Sequence, residues 1–161
     1  MIISIIVAVA ENNAIGFKNQ LLFKISDDLK RFKTITTGHT VIMGRNTFLS
    51  LPNGALPNRV NIVITDNSAD NFKDCIMANS INDALNKCPQ EETECFVIGG
   101  GMIYKQFYEL SHRLYLTKIH RITEADTFFP EVDYNKWQII SKEDHLEAEP
   151  PYTYLILERN N

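Results

Sequence analysis

Short runs rich in β-branched residues recur at 2–9, 40–43, 60–65, 75–78, 95–98, 113–119, 136–141 and 152–158. They show little alternation of apolar and polar positions, the pattern of strands covered on both faces. Stretches of helical period lie between the early runs, near 26–36, 45–51, 80–87 and 102–110. This order predicts α/β layering with crossover helices. The last three strands have no helix among them, which predicts an antiparallel hairpin at the sheet's edge. Pro150-Pro151 cannot continue a central ladder and marks the entry to the final strand. With no repeat, linker or break in composition, residues 1–161 read as one domain.

The expected sheet core is Ile3, Ile5, Val7, Val41, Met43, Ile62, Ile64, Phe96, Ile98, Leu114 and Leu116, with Phe32, Leu85, Ile103 and Phe107 from the helices. Residues 1–10 (MIISIIVAVA) resemble the apolar part of a secretion signal, but they lack its basic leading region. A buried central strand is the expected reading.

The 16 basic and 20 acidic side chains give a net charge of −4, and 44% hydrophobic with 22% charged residues excludes disorder and low complexity. The charge is uneven: residues 1–80 carry 8 basic and 6 acidic side chains, residues 81–161 carry 8 and 14. An anion-binding surface should therefore draw on the first half. No lysine-arginine cluster suited to a nucleic-acid backbone occurs, and no run of 18 apolar residues suited to a membrane. Neither partner is expected. Cys75, Cys88 and Cys95 form no C-x-x-C pair; Cys75 and Cys95 read as small buried hydrophobes, and a reducing cytoplasm fits best.

Three places are polar in a way that suggests chemistry. In the 26–36 segment Ser26 is the expected N-cap, with Asp27 and Asp28 in the first turn. At about 100° per residue, Asp28 falls inside the apolar arc of Ile25, Leu29, Phe32 and Ile35, whereas Asp27, Lys30 and Arg31 fall outside it. Asp28 is either a solvated first-turn aspartate or a carboxylate set among hydrophobes for a cationic or amidine-like ligand. The run Ile98-Gly99-Gly100-Gly101-Met102 leads from a strand into a helix, where consecutive bare amides suit a phosphate. A tight turn is the alternative. The run Val41-Ile42-Met43-Gly44-Arg45-Asn46-Thr47 repeats that switch with a forked cation, and the two together suit the two halves of a pyrophosphate-bridged cofactor.

The chain has no H-E-x-x-H, no G-x-S-x-G and no cysteine–histidine spacing with metal geometry, so no metal site is expected. His39, His112, His120 and His145 read as surface or turn residues, and Trp137 as the apolar anchor of a late strand.

These motifs, taken in order, resemble the bacterial-type dihydrofolate reductases. The resemblance rests on Ile15-Gly16, Asp28-Leu29-x-x-Phe32-Lys33, Val41-Ile42-Met43-Gly44-Arg45-x-Thr47, Leu56-Pro57-x-Arg59 and Val97-Ile98-Gly99-Gly100-Gly101-x-x-Tyr104. Leu114-Tyr115-Leu116-Thr117 and Asp126-Thr127-x-Phe129-Pro130 extend it toward the end of the chain. It implies a single α/β domain: an eight-stranded, mostly parallel sheet with an antiparallel C-terminal hairpin and helices on both faces. It also implies reduction of dihydrofolate by hydride transfer from NADPH, with N5 protonated through water.

By the same resemblance Asp28 is the acidic residue of the pterin pocket, supported by Thr117, and Arg59 meets the α-carboxylate of the glutamate tail. Leu29, Phe32, Leu51 and Leu56 line the aminobenzoyl slot, and Ile6, Val7 and Ala8 lie along the pterin. Gly99, Gly100 and Gly101 with Arg45, Asn46 and Thr47 take the cofactor phosphates, and a cis peptide is implied between Gly99 and Gly100. Ile15, Gly16, Ile98 and Tyr104 surround the nicotinamide. Ala8, Gly44, Thr65, Asp66, Met102 and Ile103 complete the cofactor site. A cytoplasmic monomer is expected, with diaminopyrimidine or pteridine antifolates as inhibitors.

The chain departs from the family in two places. Leu22-Phe23 stands where the family usually has proline-tryptophan, and Leu21 where methionine is common. Phe23 keeps the shape of tryptophan without its N–H donor, so the catalytic set read here is Asp28, Thr117, Leu21 and Phe23, with altered loop motion and water placement. Asp66, next to Thr65, stands where the family often has neutral or basic donors; it either faces the 2′-phosphate of the cofactor and repels it or caps a turn. Two rival readings are a pyrimidine reductase of riboflavin synthesis and a nucleotide-binding protein without turnover.

Overall fold

The computed structural model describes residues 1–18 and 20–161. In chain order the elements are β1 (Ile2–Ala10), β2 (Ala14–Phe17), β3 (Gln20–Leu21), α1 (Ser26–Thr36), β4 (Thr40–Gly44), α2 (Arg45–Ser50), β5 (Val60–Ile64) and β6 (Cys75–Ala78). The remainder are α3 (Ile81–Asn86), β7 (Glu94–Val97), α4 (Gly101–Tyr108), β8 (Arg113–Ile119), β9 (Thr127–Phe128), β10 (Trp137–His145) and β11 (Tyr152–Arg159).

Eight strands form one sheet in the order β10-β11-β8-β1-β7-β4-β5-β6. β11 pairs antiparallel with both of its neighbours, and every other pairing is parallel. The segment 1–10 is thus the central strand β1. Both faces of the central strands are covered, which explains their missing alternation; the edge strand β10 differs from the sequence reading, being mostly exposed beyond Trp137. On one face Ile5, Val7, Ile42, Ile62, Val97 and Leu114 pack with Phe107 and Tyr104 of α4 and Ala84 and Leu85 of α3. On the other, Ile6, Val41, Met43, Val63, Phe96 and Tyr115 pack with Phe32 and Ile35 of α1 and Phe48 of α2. Successive strand residues point to opposite faces, so Thr117, two residues beyond Tyr115 on β8, lies on the face covered by α1.

Four further details differ from the sequence reading. Ile25, not Ser26, occupies the N-cap of α1, and no side chain caps it. Cys75 is only half-buried, near the sheet's edge on β6, whereas Cys95 is fully buried. Ile3, Ile64, Leu85, Ile98, Ile103 and Phe32 are partly buried and pack against the core instead of lying inside it. The three-stranded sheet β3-β2-β9 is absent from the sequence reading because its strands are two to four residues long, too short for a period. The Gly99–Gly100 peptide is cis.

Candidate functional site

The carboxyl ends of β4, β5, β6 and β7 open onto one side of the sheet, the usual place for a ligand in an open α/β fold. A cleft of about 900 Å³ runs along this edge. Every position that the sequence assigns to the cofactor lines it: Ala8, Ile15, Gly16, Gly44, Arg45, Asn46, Thr47, Thr65, Asp66 and the run from Ile98 to Tyr104. Gln20, Leu21, Asn79, Ser80, Gln106 and Thr127 line it as well. The sequence marks Leu21 as a site residue and Thr127 only as part of a motif; Gln20 in β3, Gln106 in α4, and Asn79 and Ser80 between β6 and α3 carry no spacing that would have found them.

The glycines make the cleft floor possible. Gly44 N–H donates to Gly99 O at 2.8 Å, tying the two strand-to-helix switches together. A Cβ on Gly44 would lie 3.0 Å from Ile103 Cγ1, and one on Gly101 would lie 2.5 Å from Thr127 Cγ2. Gly99 has φ +131° and faces Thr47 Oγ1, a conformation that L side chains rarely adopt. Gly100 is the N-cap of α4 without a side-chain partner, so the first amides of α4 are unpaired within the helix and border the cleft.

Asp28 lies on the first turn of α1, on the sheet-facing side, and Asp27 is exposed. Thr117 Oγ1 donates to Asp28 Oδ1 at 2.5 Å. Burial pushes the Asp28 carboxyl above its ordinary value; the Thr117 hydrogen bond and the Arg31 charge pull it back without cancelling the rise. The carboxylate therefore faces the sheet instead of bulk solvent. Tyr104 O–H donates to Ile6 O at 2.9 Å. Burial and, second, the Asp28 charge hold the Tyr104 hydroxyl above its ordinary pKa, so it stays a neutral donor.

Ile6, Phe32, Leu51, Leu56 and Ile98 share one apolar cluster beside Asp28. Arg59 stands over Phe32, its Cζ 5.9 Å from the ring centroid. It is fixed by donating from Nε to Pro57 O at 2.9 Å and from Nη1 to Thr36 Oγ1 at 3.1 Å. Leu29 and Leu21 are largely exposed. Phe23 packs in a separate cluster with Ala8, Ile25, Ile119 and Tyr154, and Arg31 lies over the Tyr154 ring at 4.1 Å. Asp66 is exposed on the cleft rim. The acid that meets Arg45 is Asp70, four residues further along, which the sequence reading does not single out.

Among the described residues no group of three or more His, Cys, Asp or Glu side chains could hold a metal ion, and no helix is long and apolar enough to cross a membrane.

A family model described as dihydrofolate reductase matches residues 2–159. The dihydrofolate reductase of Bacillus subtilis (strain 168) is 43% identical over 162 residues, covering 99% of this chain and 95% of that protein. That of Staphylococcus haemolyticus is 42% identical over 153 residues, covering 94% and 91%. Among solved structures, dihydrofolate reductase from Enterococcus faecalis complexed with NADP(H) and RAB-propyl matches with a TM-score of 0.90 at 30% identity, covering 99% and 97% of the two chains.

Proposed function

The chain belongs to the dihydrofolate reductase family and is an oxidoreductase that reduces dihydrofolate to tetrahydrofolate with NADPH; on that premise we propose how its residues share the task. The observation that carries the proposal is the Asp28–Thr117 pair: a carboxylate shielded from water, on the sheet-facing side of α1.

Asp28 accepts two parallel hydrogen bonds from the amidine-shaped edge of the pterin, a geometry that suits a carboxylate. Thr117 holds one oxygen, which fixes the plane of the carboxyl group. Because burial raises its pKa, Asp28 keeps a proton to higher pH than a free aspartate; it is the ionised carboxylate, above that pKa, that favours the protonated pterin. Diaminopyrimidine and pteridine antifolates present the same edge and are the inhibitor class expected. Phe32, Leu51 and Leu56 flank the aminobenzoyl ring. Arg59, with two donors committed to Pro57 and Thr36, keeps the rest of its planar fork for the glutamate α-carboxylate.

The cleft residues fit NADPH. A Cβ at Gly101 would clash with Thr127 and one at Gly44 would crowd Ile103, and the helix start after Gly100 offers unpaired amides to phosphate. When bound, the cofactor supplies the hydride. Ile15, Ile98 and Tyr104 flank the nicotinamide and exclude water. Within this reading no side chain reaches N5 of the pterin, and a water molecule carries that proton, placed differently here because Phe23 has no N–H. We read the protein as a monomer and place it in the cytoplasm, where its three free cysteines suit a reducing compartment.

The test is the oxidation of NADPH by the purified chain, followed by loss of nicotinamide absorbance. Oxidation is expected only when dihydrofolate is present. Oxidation of equal rate with a pyrimidine intermediate of riboflavin synthesis, or none with either substrate, would contradict the assignment.

A further inference from the structure

The end of the cleft at Arg45, Thr65 and Asp66, which the family resemblance assigns to the cofactor, is built around one oxygen atom. Arg45 Nε donates to Asp70 Oδ2 at 2.8 Å, and Thr65 Oγ1 donates to the same oxygen at 2.6 Å. Asn67 N–H donates to Thr65 Oγ1 at 3.1 Å, so the single hydroxyl proton of Thr65 is committed to Asp70. The Asp70 side chain is only 9% exposed, while that of Arg45 is 42% exposed and lines the cleft. Asp70 thus acts from behind Arg45 and leaves the outer N–H groups of the guanidinium free.

The charges run against a phosphate. Among the described residues lining the cleft, Arg45 is the only cation and Asp66 the only anion. Asp70 behind Arg45 adds a second negative charge, so this end of the cleft has one positive and two negative groups. A 2′-phosphate monoester carries nearly two negative charges at neutral pH, whereas a free ribose 2′-hydroxyl is neutral and can donate to a carboxylate.

Resting on the cofactor placement above, we propose that Asp70 is a specificity-tuning residue of the cleft: one carboxylate oxygen positions Arg45 and Thr65 while its charge offsets the guanidinium, so the preference for the 2′-phosphorylated nicotinamide dinucleotide is smaller than Arg45 alone would give. The geometric and electrostatic effects of Asp70 are opposed, and they are separable. An amide at this position retains an acceptor for Arg45 Nε and Thr65 Oγ1 and removes the charge.

The experiment is calorimetric titration of NADP⁺ and of NAD⁺ onto the enzyme without folate, for the parent chain, Asp70→Asn, Arg45→Gln and the double variant, with thermal unfolding to show that each is folded. Asp70→Gln serves as a second neutral variant. Asp70→Asn is expected to tighten NADP⁺ about fivefold and to change NAD⁺ less than about twofold, the size of one unscreened charge at a partly exposed site. Adding Arg45→Gln should remove that gain. No gain in either neutral variant, or an equal gain for both dinucleotides, overturns the inference while leaving the cofactor site in place. If Arg45→Gln leaves NADP⁺ affinity unchanged in both backgrounds, the cofactor placement is wrong and the inference falls with it.

Discussion

Thr117 Oγ1 donates to Asp28 Oδ1 across 2.5 Å, joining β8 to α1 over 89 residues of chain. The bond lowers the carboxyl's pKa against the larger effect of burial. It also fixes the plane of the carboxyl group.

Thr117→Val keeps the shape and removes the donor. Asp28 loses the interaction that favours its charged form, so the ionisation seen in kcat/KM should move to higher pH. A hydrogen bond to a charged acceptor contributes about 1.5–3 kcal/mol, so dihydrofolate kcat/KM is expected to fall roughly tenfold or more. A pH–rate profile of unchanged midpoint would contradict this role.

The same carboxyl should cost stability at neutral pH. Its folded pKa is raised above the ordinary 3.8, so between the two values the native state binds more protons than the unfolded chain. Stability therefore falls as pH rises through that interval: below the unfolded value there is no penalty, and above the folded value it is complete. Asp28→Asn is expected to melt higher than the parent at neutral pH, by roughly 2 °C or more, and to lose that advantage on acidification. An equal difference in Tm at both pH extremes would argue against a desolvated carboxylate.

Gly101 is constrained by space. Alanine there would put a Cβ 2.5 Å from Thr127 Cγ2, and overpacking of this kind costs about 1–3 kcal/mol. Gly101→Ala should lower stability by that amount and weaken cofactor binding. Thr127→Ser, which lacks the clashing methyl, should restore much of both in the double variant; purely additive effects in thermal melts and titrations would rule out this contact.

Phe23 packs with Ala8, Ile119 and Tyr154 and offers no hydrogen bond. Phe23→Trp adds a donor and volume to that cluster. The expected result is faster hydride transfer at high pH, where proton delivery limits, with a loss of stability of about 1–3 kcal/mol from overpacking. An unchanged rate at every pH would show that the missing N–H is without consequence.

The long elements were legible in the sequence because each carries a period or a run. The strand runs and the four helices fall within a few residues of their observed bounds, and the angular position of Asp28 correctly sets it apart from Asp27. The glycine switches were legible as paired strand-to-helix turns, although only the resemblance ordered them along one cleft. Other features were out of reach. β2, β3 and β9 are held by pairing between distant segments, such as Gly16 with Thr127, and have no local pattern. Asp70 lies in a turn, and its link to Arg45 spans 25 residues. Arg31 over Tyr154 joins α1 to the last strand. Contacts of this kind are set by tertiary packing, which periodicity does not encode.

The central claim is that Asp28 recognises the pterin through a shielded carboxylate. Its most direct test is the pH dependence of kcat/KM for dihydrofolate in the parent and in Asp28→Asn, with NADPH saturating. Asp28→Asn should lose roughly a hundredfold or more near neutral pH, and the ionisation that the parent shows should disappear. An Asp28→Asn enzyme with parental kcat/KM and the same pH profile would contradict it.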